Sequence, residues 1–170
     1  MSLPAFDPLG ALAALLAGGV RFVVVGGFAA RLWGSPSITN DLDVCYRRDP
    51  ENLERLAAVL RDLGARLRGA PADVPFVLDA RTLDAGGDFT FATDVGALDI
   101  LATPAGTHGF DDLDRGAMEM DLGDELQVRI AALDDLIRMK RACGRTKDRI
   151  EVEVLGALRE EIERGEPNPR

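Results

Sequence analysis

Hydrophobic and polar positions repeat along this chain with two periods, and the switches between them mark out its elements. Residues 20–25 (VRFVVV) form a β-branched run that stops at Gly26-Gly27, the pattern of a buried strand entering a tight turn. Residues 41–46 (DLDVCY) alternate polar and apolar, which predicts a strand with one face turned from the core. Leu53, Leu56, Leu60 and Leu63 recur at helical spacing behind Asp49-Pro50, with Gly64 as the stop. Residues 9–20 are apolar enough to imitate a signal-peptide core. However, Asp7 precedes them, a basic segment does not, and Asp7-Pro8 reads as an N-cap and first helical position, with Gly18-Gly19 closing the helix.

The same reading predicts a short helix over 28–33, stopped by Gly34-Ser35-Pro36, with Phe28 and Trp33 as core residues. Two strands are expected within 88–101 about a turn at 94–96, a hairpin within 118–130, and helices over 133–143 and 146–163. Residues 65–87, with Pro71, Pro75 and Gly86-Gly87, read as short strands and loops, and 104–109 as a linker. The expected organisation is a core over 1–110, a hairpin with two helices over 111–164 in the same compact unit, and a frayed tail over 165–170.

Composition narrows the class. A chain of 170 residues with 46% hydrophobic and 29% charged positions suits one globular domain and excludes a disordered or collagen-like chain. The net charge of −9 argues against a protein that coats nucleic acid. Cys45 and Cys143 are too few to staple such a domain, so reduced thiols and a cytoplasmic location are expected. A lone His108 removes zinc sites built on several histidines, but it does not touch Mg²⁺, which takes carboxylate oxygens. No segment approaches the ~20 apolar residues of a membrane span.

Three acids stand out. Asp41 and Asp43, at i and i+2 of a strand, leave the same face, while Leu42 and Val44 turn to the core. Asp99 lies inside the apolar stretch Ala97-Leu98-Asp99-Ile100-Leu101, where a carboxylate is costly without compensation. A shared divalent cation supplies that compensation. Gly26-Gly27, ending a strand and opening a helix, offers backbone N–H groups to a phosphate. Cys45, on the face of Asp43, is expected to line the same cleft.

The run Val24-Val25-Gly26-Gly27, Gly34, Thr39-Asn40-Asp41-Leu42-Asp43-Val44, with Leu98-Asp99-Ile100 later, resembles the nucleotidyltransferase fold shared with polymerase-β. More narrowly it is similar to the small AbiEii-type and minimal nucleotidyltransferases of bacteria, whose ending is matched by residues 133–140 and by Gly144-Arg145-Thr146-Lys147-Asp148. The resemblance implies an α+β fold, a mixed sheet with flanking helices and C-terminal helices walling a cleft. It implies transfer of a nucleoside monophosphate from an NTP such as ATP to a hydroxyl, with two Mg²⁺ ions (Mn²⁺ being an alternative) on Asp41, Asp43 and Asp99. Gly26, Gly27 and Thr39 would bind the nucleotide. Gly27 stands where many relatives carry Ser, and Ser37 where the narrower family often has Arg. The acceptor is left open between an RNA 3′ end such as tRNA, a protein and a small molecule. So are a toxin–antitoxin role, a partner subunit and a homodimer.

The C-terminal helices carry their own signal. Leu133, Leu136, Ile137 and Lys140 follow one helical face, and Lys147 begins the face continued by Ile150, Val154 and Leu158. Both lysines are therefore expected to face the nucleotide. Residues 138–149 hold six basic residues against one acid, the concentrated basic stretch of an acidic chain. Blander readings stand beside these: an edge strand with solvated acids, an Asp99 paired with an arginine, lysines at the ends of apolar stripes. Two rival functions are a nucleotide-binding regulatory or antitoxin-like module without turnover, and a glycosyltransferase-type Asp-x-Asp enzyme. The second needs a larger α/β domain than the 40 residues preceding Asp41.

Overall fold

A computed structural model describes residues 4–165. The chain opens with α1 (Pro8–Ala17), where the Asp7 side chain accepts from the Gly10 N–H and Pro8 takes the first turn. Then come β1 (Phe22–Val25), α2 (Gly26–Trp33), β2 (Asp41–Tyr46) and α3 (Pro50–Asp62). After these follow β3 (Arg66–Leu67), α4 (Ala80–Gly86), β4 (Phe89–Thr93), β5 (Gly96–Leu101) and α5 (Phe110–Gly116). The chain continues through β6 (Met118–Asp121), β7 (Gln127–Ile130), α6 (Leu133–Cys143) and α7 (Thr146–Glu163). The fold is thus the expected α+β arrangement of helices on a mixed sheet. Of the expected tail, residues 166–170 lie outside the described residues.

Among the described residues the strands form one seven-stranded sheet in the order β3-β4-β5-β2-β1-β7-β6. The pairs β2/β5 and β1/β7 are parallel and the others antiparallel. All four residues of β1 are buried, which explains its unbroken apolar run: a central strand covered on both faces has no polar side to show. In β2, Leu42 and Val44 are buried and Asp41 and Asp43 only partly, as the alternation requires. Trp33 donates from Nε1 to the carbonyl of Ala131 at 2.9 Å and so ties α2 to the segment after β7.

Residues 65–87 differ from the expectation of strands and loops. They contain α4, whose seven residues bury a single leucine, Leu83, too few for a helical period to register. Its start was nonetheless written in Asp79, whose side chain accepts from the Thr82 N–H at 2.8 Å. Helix α5 follows the linker where no element was expected. Helix α2 begins two residues earlier than the sequence suggested, because the glycine pair forms its first turn rather than a loop before it.

Candidate active site

The site is assembled by strand register. Val25, the last residue of β1, stands opposite Asp43, and Asp43 stands beside Asp99 of β5. Asp41, one pleat away on β2, completes the group: Asp41, Asp43 and Asp99 each bring a carboxylate oxygen within 4.8 Å of the others. Burial is the main cause that pushes the Asp43 carboxyl up to about 7, followed by the charges of Asp41 and Asp99 and a hydrogen bond with Asp99; the ammonium of Lys140 opposes the rise. Burial also raises Asp99, against the opposing charge of Arg68. The donor set is hard oxygen throughout, the chemistry of Mg²⁺ or Mn²⁺ rather than of a thiolate or imidazole metal. These three residues fit such an ion.

Gly26 makes the close approach possible. Its φ is +68°, and a Cβ there would lie 2.1 Å from Oδ2 of Asp43, so it is excluded both by conformation and by the carboxylate. Gly26→Ala is expected to cost about 1–2 kcal/mol for the left-handed backbone alone and to displace Asp43. Melting temperatures measured with and without Mg²⁺ check both effects, since a displaced Asp43 reduces the gain from the ion. Helix α2 starts at this point without a side-chain hydrogen bond at its cap, and its first two residues, Gly26 and Gly27, line the two cavities of the site. Beside Gly27, where relatives often carry Ser, Thr39 holds its hydroxyl: a Cβ on Gly27 would come 3.1 Å from Thr39 Oγ1. That hydroxyl donates to the carbonyl or the Oδ1 of Asp41, at 3.1 and 3.2 Å.

Two cavities meet at Asp43, Lys140 and Arg145. The larger, about 810 Å³, is a polar cleft that holds the three acids, Thr39, Arg68 and Lys147. The smaller, about 300 Å³, runs beneath α6 between Leu101, Pro104, Leu136 and Met139. Lys140 and Lys147 both line the larger cleft, as expected, but for different reasons. Lys140 extends the buried stripe of α6. Lys147 is exposed, and the buried residues of α7 are Asp148, Leu155 and Leu158: of the expected stripe Leu158 is buried, whereas Ile150 is 63% exposed. The expected basic wall is also smaller than residues 138–149: Arg138 turns away to Asp112 and Asp135, at 3.1 and 2.9 Å. Cys45 does not line the cleft. It is fully buried, with its thiol 3.7 Å from the carbonyl of Ala102, because the chain beyond β5 covers that end of the strand.

Several residues of the site went unnoticed in the sequence. Arg68 Nη2 donates to both oxygens of Asp99, at 2.9 and 3.2 Å, so the arginine partner and the acidic cluster exist together. Asp148 is 1% exposed and accepts from Arg145 Nε at 2.7 Å, with Lys140 Nζ at 3.5 Å. Hydrogen bonding to the Arg145 side chain holds its carboxyl below the usual range. Glu151 accepts from the hydroxyls of Ser35 and Ser37, at 2.9 and 2.6 Å, clasping the loop after α2 to α7. Ser37, where an arginine was the family expectation, is thus a bonded partner of an acid. Asp148 stands three residues after Arg145 and accepts from its backbone N–H at 3.3 Å, but an arginine at the N-cap offers no side-chain acceptor, so no capping-box pattern marks the position; the Arg68 pairing has no local signature either.

No family model matches the chain, and neither does any curated protein. Among solved structures it is similar to the lincosamide antibiotic adenylyltransferase LnuA, crystallised with lincomycin bound. That match has a TM-score of 0.60 and 15% identity, and covers 88% of this chain and 94% of the other. It is also similar to a candidate nucleotidyltransferase of Thermotoga maritima, with a TM-score of 0.54 and 14% identity over 92% of this chain and 90% of the other. At such identity the likeness speaks for the fold, and the fold is that of the nucleotidyltransferases.

Proposed function

We propose that this chain transfers a nucleoside monophosphate from a nucleoside triphosphate to a hydroxyl of a small molecule, with Mg²⁺ held by Asp41, Asp43 and Asp99. The observation that carries the reading is the convergence of three half-buried carboxylates at the mouth of an uncapped glycine turn. Carboxylates so placed repel one another, and a divalent cation relieves that repulsion. When bound, the ion supplies positive charge to the phosphate oxygens.

The protein's own part is placement and charge. The first N–H groups of α2, at Gly26 and Gly27, receive the terminal phosphates. Lys140, Arg145 and Lys147, all lining the larger cleft, offset the remaining negative charge. The acceptor oxygen bonds to the α-phosphorus as the bond from that phosphorus to the pyrophosphate oxygen breaks. The hydroxyl proton passes to a carboxylate of the triad, and pyrophosphate leaves. A small acceptor suits the cavities, about 810 and 300 Å³, and a chain of net charge −9 lacks the field that gathers RNA.

One observation favours a second reading, a module that binds nucleotide without turnover: Arg68 already neutralises Asp99. The two readings separate in one assay. Each α-labelled NTP is incubated with Mg²⁺ and, separately, with bacterial metabolites, tRNA or protein. We expect label to move into the metabolite fraction, and not when Asp41→Ala/Asp43→Ala replaces the wild type. Label on tRNA or protein would reassign the acceptor. Stabilisation by Mg²⁺·NTP with no label moved in any fraction would replace transfer by binding.

A further inference from the structure

We propose that Arg68 stands in for a second divalent cation at Asp99, so that the chain alone holds a single resident divalent ion, between Asp41 and Asp43. The inference rests on the metal-binding reading of the triad; it sets one ion where the family resemblance implies two, and narrows the ligands of that ion to Asp41 and Asp43. Its basis is a row across the sheet. Arg68 follows the edge strand β3, and its N–H donates to the carbonyl of Thr90 at 2.9 Å. Thr90 stands opposite Asp99 in the β4/β5 register, and Asp99 beside Asp43 in the β5/β2 register. Arg68, Thr90, Asp99 and Asp43 therefore lie in line, and the arginine side chain reaches over β4 to its target.

The contact is made to the ligand atoms themselves. Nη2 of Arg68 lies 2.9 Å from Oδ1 and 3.2 Å from Oδ2 of Asp99, so both oxygens that a second ion would need already accept from a cation. A guanidinium keeps its charge at every physiological pH, so it leaves only by moving. Charge gives the same count. The triad carries −3, and one divalent ion with Arg68 brings +3; a second ion would leave an excess of +2 with a guanidinium against its ligand. Among the described residues, Nε and Nη1 of Arg68 make no hydrogen bond with the protein, which leaves them for an oxygen in the cleft. Arg68 is thus a positioning residue for Asp99.

The test is metal stoichiometry on the full chain without nucleotide, by calorimetric titration with Mn²⁺ and by the loss of the free Mn²⁺ electron-resonance signal. The wild type is expected to take up one Mn²⁺ per chain, Arg68→Lys one, and Arg68→Gln two. The backbone anchor of residue 68 is untouched by either substitution, and a melting curve verifies that each variant is folded. Asp43→Asn is expected to lose the resident ion. A wild type that binds two ions, or a folded Arg68→Gln that still binds one, overturns the Arg68 assignment and leaves the carboxylate site standing. A wild type that binds none overturns both.

Discussion

Asp43→Asn is expected to lower nucleotidyl transfer by on the order of 10³-fold and, in chelator at pH 8, to melt at a higher temperature than the wild type. The two effects have one origin. Asp43 sits among two other acids with burial added, so its carboxyl is pushed up to about 7 from an ordinary 3.8. The folded chain therefore holds a proton there that the unfolded chain releases. Its contribution to stability is complete below pH ~4, is lost as pH rises towards 7, and stays lost above. Asparagine mimics the neutral carboxyl at every pH. In chelator the variant should be level with the wild type near pH 4 and gain on it through the window, by about 1–3 kcal/mol or roughly 3–10 °C at pH 8. Mg²⁺ should restore the wild type and not the variant. Melting curves from pH 4 to 8, with Mg²⁺ or chelator, check the sign. A variant that melts lower than the wild type throughout would mean that Asp43 is not a strained acid.

Asp148→Ala is expected to act in the opposite direction. Its carboxylate is almost wholly buried and holds the side chains of both Arg145 and Lys140, one at the start of α7 and the other on α6. Removing it leaves two cations without their partner, and the backbone N–H of Arg145 at the start of α7 without the carboxylate that accepts from it. The loss should be about 2–3 kcal/mol, or roughly 5–10 °C. Because hydrogen bonding to Arg145 lowers the folded-state value of Asp148, its contribution is present above pH ~4 and declines as pH falls below that. The wild type and variant should therefore converge in acid. With Lys140 and Arg145 released from their shared anchor, KM for the nucleoside triphosphate should also rise about tenfold. An unchanged KM with lowered stability would make Asp148 structural alone.

What the residues disclosed in advance follows from the range over which each interaction works. The end of β1 at Gly26-Gly27, the parity of Asp41 and Asp43, and the caps Asp7-Pro8 and Asp49-Pro50 are local, and each stands where the pattern placed it, although the glycine pair is itself the first turn of α2. Failures began where one element decides the surroundings of another. Parity put Cys45 on the face of Asp43 correctly, but the covering of that end by the segment around Ala102 is a tertiary fact. Ile150 has the apolar character and spacing of a buried stripe, whereas α7 buries the face that carries Asp148, and the isoleucine is left in solvent. Arg68 could not have been singled out at all. Its link to Asp99 crosses a whole intervening strand, and in the sequence it is one arginine among several before a loop.

The sheet order has a consequence for how this chain is made. β1 is central only because β7 pairs with it in parallel, Val24 beside Ile130, while every other pairing of β1 and β2 involves segments up to Leu101. On a ribosome the glycine turn and the three acids are therefore synthesised long before the strand that closes their sheet. Until β7 emerges, β1 presents an apolar strand with one unpaired edge, the kind of surface that recruits a chaperone or another unfinished copy. Shortening from the C-terminal side would make that transient state permanent, and a piece that keeps every carboxylate of the triad would still be a poor candidate for isolation.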